Sequence, residues 1–78
     1  MEPVEVTAQF DTQGKATPLR FTWQGRSYPV ESTGRSWEDS DGQHILVMVA
    51  AGKIFELLFA PAEGCWYLGR LESGRMMA

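Results

Sequence analysis

The segment Leu19-Arg20-Phe21-Thr22-Trp23-Gln24-Gly25-Arg26-Ser27-Tyr28-Pro29-Val30 constrains the fold more than any other part of the chain. Two alternating apolar and polar runs flank Gln24-Gly25, the pattern of a tight β-hairpin. A two-residue turn there sets Trp23 opposite Arg26, Phe21 opposite Tyr28 and Leu19 opposite Val30. One face then carries five large apolar side chains, Leu19, Phe21, Trp23, Tyr28 and Val30, with Arg26 at the turn end. The other carries Arg20, Thr22, Ser27 and Pro29. Turn chemistry and alternation agree, so the class is antiparallel β with an aromatic-rich core. Pro29 falls at a non-hydrogen-bonded position, its missing N–H pointing away from the second strand. The third strand is therefore expected to be an edge there, or bulged.

The rest of the chain follows the same period. Val4, Val6, Ala8 and Phe10 alternate with Glu5, Thr7 and Gln9, which predicts a half-buried first strand. The polar run from Thr33 to Gln43 reads as a loop with Trp37 as its apolar anchor. His44 to Ala50, Ile54 to Ala60 and Trp66 to Leu71 read as the fourth, fifth and sixth strands. Pro61-Ala62-Glu63-Gly64 suits a type I turn, setting Phe59 opposite Trp66, Leu57 opposite Leu68 and Phe55 opposite Arg70. At Ala51-Gly52 two registers stay open, pairing either Ala50 or Val49 with Lys53. The expected fold is all-β: a six-stranded antiparallel meander curled into a small barrel or roll, because closure removes exposed edges. One domain is expected over residues 1–72, with a disordered tail over 73–78.

With 78 residues, 44% of them hydrophobic, the chain supports one small core. The net charge of −3 argues against a nucleic-acid partner, which a basic balance would favour. Cys65 is the single cysteine, which excludes an internal disulfide and points to a reducing, cytoplasmic setting. Residues 1–5 carry no apolar run of a signal peptide. No stretch reaches the ~20 apolar residues of a helical membrane span, so no membrane association is expected.

The spacing Phe21-x-Trp23-x-Gly25-Arg26-x-Tyr28-x-Val30, then Trp37, Phe55-Glu56-Leu57 and Gly64-x-Trp66-x-Leu68, resembles a small uncharacterised bacterial β domain. That domain occurs alone and near or fused to translesion-type (Y-family) DNA polymerases. The resemblance covers roughly residues 4–71 and implies a link to DNA repair or mutagenesis, with no known activity and no catalytic residue to carry over.

Few residues suggest chemistry. Trp23, Arg26, Arg35 and Trp37, with Tyr28 and Arg20 nearby, offer the aromatic and cationic parts of a single-stranded nucleic-acid surface. The hairpin register instead assigns Trp23 and Tyr28 to the core. Glu38, Asp39 and Asp41 before Gly42 fail the calcium-loop pattern, which would place Trp37 and Met48 at ligand positions. One His and one Cys cannot fill a four-ligand zinc sphere, and no metal or cofactor is expected. His44 and Cys65 lack the orienting partner a thiol–imidazole site requires, and no enzyme motif is present. Glu56, between Ile54 and Leu58, is expected to pair with Lys53, Arg70 or a partner chain. The face of the last two strands holding Ile54, Glu56, Leu58, Tyr67 and Leu71 is too apolar to be open to water. Either the first strand covers it or another chain does. The expected function is a non-enzymatic interaction module, binding a protein partner or itself, with weak single-stranded nucleic-acid binding as the alternative.

Overall fold

The computed structural model describes residues 1–72, and side chains as far as Gly69, so the tail expected over 73–78 lies outside the described residues. The strands are β1 (Glu2–Phe10), β2 (Ala16–Trp23), β3 (Arg26–Pro29), β4 (Ser32–Asp39), β5 (Gly42–Val49), β6 (Lys53–Ala60) and β7 (Cys65–Glu72). They form one seven-stranded sheet in the order β3-β2-β1-β7-β6-β5-β4, antiparallel at every pairing.

The order explains the closure. Six antiparallel steps separate β3 from β4, so these two edge strands run in the same direction. Only Val30 and Glu31 lie between them. A two-residue link leaves no room for reversal, so β3 and β4 form one long strand that changes partner part-way. The hydrogen bonds mark the change: the Val30 N–H donates to Leu19 of β2 at 2.9 Å, and the Glu31 N–H donates to Met48 of β5 at 2.8 Å. Counted this way the sheet is a six-membered meander rolled into a half-barrel, with β1 and β7 paired. Beyond the switch, Gln43 continues the closure. Its side-chain amide accepts from the Ala16 N–H at 3.3 Å and donates to the Ala16 carbonyl at 3.2 Å, much as a neighbouring strand would. That explains a buried glutamine.

The core fills the inside of the curl. Phe21, Val47, Val49, Phe55 and Leu57 are almost wholly buried. Phe55 is the hub: Phe21 and Trp23 meet it edge-on at 5.3 and 5.6 Å, and Tyr28, stacked on Phe21 at 5.1 Å, lies 5.8 Å away. Such offset and edge contacts add to the area each ring buries.

The hairpin register of β2 and β3 is as expected, with Gln24 at φ 53° and Gly25 at φ 78° in the turn. Pro29 does sit on an edge strand. The turn before β6 pairs Val49 with Lys53, and β6 meets β7 with Leu57 opposite Leu68 and Phe59 opposite Trp66.

Four expectations are corrected. Residues 33–43 are not a loop: β4 and β5 form a hairpin through Ser40-Asp41, with Asp39 opposite Gly42. The strand was hidden because β4 is an edge on which only Trp37 is half-buried, so no apolar alternation exists to be read. The strand count is therefore seven, not six. Leu19 is 47% exposed rather than in the core. It is the extra residue of a bulge, since Thr7 pairs with Arg20 while Ala8 pairs with Pro18. Phe55 pairs with Leu71 rather than Arg70, because a second irregularity falls between Phe55 and Leu57.

Candidate functional site

Curling gives the sheet an inside and an outside, and the outside is uneven. On β1 and β2 the outward residues are Glu5, Thr7, Gln9, Arg20 and Thr22, with Leu19 exposed beside them at its bulge. On β5 and β6 they are His44, Leu46 and Met48, then Ile54, Glu56 and Leu58, joined by Tyr67 of β7. Ile54, Glu56, Leu58 and Tyr67 of the expected face thus share the outside, and β1 does not cover them. That strand pairs edge to edge with β7 instead.

The members of that face differ in access. Ile54, Glu56 and Tyr67 are half-buried, and Leu58 is only 6% exposed. Leu58 lies between its cross-strand neighbours His44 and Tyr67. Leu71 lies in β7, opposite Phe55. Two accessible residues were missed: Met48, 38% exposed, and Leu46, half-buried. Together with Ile54 they line a hollow of about 240 Å³ beside Gly34. The hollow exists because Gly34 stands over Leu46 without a side chain, in a bulge where Thr33 pairs with Val47 and Ser36 with Ile45.

Next to it lies a polar cluster. His44 is 7% exposed, its ring stacked on Trp37 with centroids 5.0 Å apart and planes within 4°. The Arg35 guanidinium lies 5.0 Å from the Trp37 ring centroid, a cation–π distance. His44 Nδ1 is 2.6 Å from Glu56 Oε2, and Nε2 is 2.9 Å from Asp39 Oδ2. Burial works against the imidazolium, but the carboxylates of Glu56 and Asp39 outweigh it and raise the His44 pKa above the usual value. The Asp39 carboxyl is held below its usual range, first by the Asp41 N–H and then by His44. On β7 the Tyr67 hydroxyl donates to Glu63, whose carboxylate pushes the phenol pKa up.

Glu56 thus pairs with His44, a partner the sequence reading did not name, and the side chain of Arg70 lies outside the described residues. The signal was present in one of the two registers left open: pairing Val49 with Lys53 puts Leu46 opposite Glu56 and His44 opposite Leu58, on one face. Cys65 is exposed at the start of β7, its thiol against the Glu63 carbonyl at 3.5 Å, while His44 is held by carboxylates.

The four nucleic-acid candidates are not brought together. Trp23 packs on the inside against Phe55, and its indole N–H donates to Glu2 at 2.6 Å. Arg26 is exposed at the far hairpin. Trp37 and Arg35 sit outside on β4. Among the described residues no helix is long and apolar enough to cross a membrane.

No family model, curated protein or solved structure matches the chain.

Proposed function

We propose that the chain is a non-enzymatic protein-interaction module that associates with a second copy of itself through the outward face of β5, β6 and β7. One observation carries the reading: the outward positions of β1 and β2 are polar apart from Leu19 at its bulge, whereas Leu46, Met48 and Ile54 make a contiguous apolar patch on β5 and β6, with Met48 38% exposed. A strand whose outward face meets only water alternates apolar inward with polar outward. A contiguous apolar area on a chain this small is the usual mark of an interface. The free edge of β4 is a less suitable contact, since its bulge and its charges at Arg35, Glu38 and Asp39 block strand pairing.

The working setting is the cytoplasm, supported by the single free thiol of Cys65. In the repair context that the resemblance implies, a translesion-type polymerase would compete for the same face.

Sedimentation velocity from about 1 µM to 1 mM brackets weak association and tests the proposal. The wild type is expected to dimerise within that range, and Met48→Glu to remain monomeric with an unchanged circular dichroism spectrum. A wild type that stays monomeric throughout, or a Met48→Glu dimer of undiminished strength, would overturn it.

A further inference from the structure

A different feature of the outer surface carries a second conclusion, independent of self-association. His44 Nε2 is the one buried side-chain nitrogen or oxygen among the described residues without a hydrogen bond. It lies 2.9 Å from Asp39 Oδ2, an ion-pair distance, without the alignment of a hydrogen bond. Buried polar atoms are rarely left this way. Two ligand atoms sharing a tetrahedral ion at bonds of about 2.0–2.1 Å sit roughly 3.3 Å apart, so Nε2 and Oδ2 have to part by a few tenths of an ångström to admit one.

We propose that Asp39, Asp41 and His44 form a site for one zinc ion on the β4–β5 hairpin, with Glu56 as the outer partner of the histidine. The ligand atoms of the three residues lie within 4.8 Å of one another. Each is prepared differently. In the tautomer with the proton on Nδ1, the Glu56 carboxylate 2.6 Å away accepts it, and the Nε2 lone pair is left free beside Asp39 Oδ2. This carboxylate–histidine arrangement orients metal-binding histidines and raises their basicity. Asp39 Oδ1 accepts from the backbone N–H groups of Asp41 and Gly42 at 2.8 and 3.3 Å, which leaves Oδ2 unused by the turn. Asp41 is exposed at the hairpin tip, with a carboxylate oxygen within 4.8 Å of the other two ligand atoms. Trp37, stacked on the imidazole, holds the ring plane and keeps water from one face.

One nitrogen and two carboxylate oxygens, with water in the fourth position, suit zinc. Calcium and magnesium favour oxygen-only shells of six or more ligands, which three residues at a hairpin tip do not supply. The competing occupant of the Nε2 lone pair is a proton, which gives an imidazolium between two carboxylates. Zinc binding displaces it.

The test is calorimetric titration of the metal-free full chain with zinc chloride, followed by amide and ring NMR. Asp41→Asn is the informative variant, because the Asp41 side chain is exposed and takes no part in the hairpin hydrogen bonds. Cys65→Ser controls for the exposed thiol. The expected result is binding of one zinc per chain, weakened about tenfold or more in Asp41→Asn and unchanged in Cys65→Ser. The His44 ring and Trp37 indole resonances are expected to shift with zinc, and an equal concentration of magnesium to have no effect. Failure to bind one zinc per chain, equal affinity in Asp41→Asn, or loss of binding in Cys65→Ser would overturn the site.

Discussion

Gly42 occupies the point where the β4–β5 hairpin crosses β6. Its φ is 145°, and a Cβ built there would collide with the Phe59 carbonyl. Backbone cannot yield as a flexible side chain can, so Gly42→Ala is expected to cost about 3 kcal/mol or more in urea unfolding. Gly25 provides the contrast. It has φ 78° but open space around it, so Gly25→Ala should cost only about 1 kcal/mol. Asp11 supplies a pH dependence. Its carboxylate accepts from the N–H groups of Lys15 and Gln13 at 2.9 Å, and these bonds lower its pKa. A folded-state pKa below the unfolded value stabilises the protein fully above about pH 4, and that contribution disappears as pH falls through the folded value. Melting temperatures measured between about pH 5 and 2 should therefore fall less steeply for Asp11→Ala than for the wild type.

At the scale of elements, the change of partner between β3 and β4 does most to shape the molecule. Beyond that step β4 has left β2, and Gln43 spans the gap to Ala16. Gln43→Leu keeps the bulk but leaves the Ala16 N–H and carbonyl unpaired, a loss of about 1–3 kcal/mol. Hydrogen exchange at Ala16 is expected to accelerate more than at Phe55, which sits in the paired interior of β6. Equal acceleration at both would show that the amide bridge is not local. The same elements explain what could be read from the chain. The β2–β3 hairpin was legible because turn and alternation are encoded within one short segment. β4 was not, since an edge strand wet on both faces has no apolar period. The bulge at Leu19 was equally silent, because it depends on how β1 lies against β2, and no local pattern of β2 reports that. The His44–Glu56 pairing needed the β5–β6 register, which hinges on a turn where Ala51 itself adopts φ 69°. Both residues were visible, but their meeting was not.

For the whole molecule, the proposed interface on β5 and β6 is tested by separating residues that hold the fold from residues that are accessible. Leu58, 6% exposed between His44 and Tyr67, belongs to the structure. Leu58→Glu would bury a carboxylate without a partner and is expected to abolish folding, seen as loss of the cooperative thermal transition. Met48 and Ile54 form the proposed contact and should tolerate charge without loss of the fold. An amide nitrogen–proton dilution series on the wild-type chain tests self-association through this face most directly. The expected outcome is concentration-dependent shifts confined to Leu46, Met48, Ile54, Tyr67 and their neighbours, with β1 and β2 unaffected. Spectra that do not change with concentration, or shifts centred on β1 and β2, would contradict it.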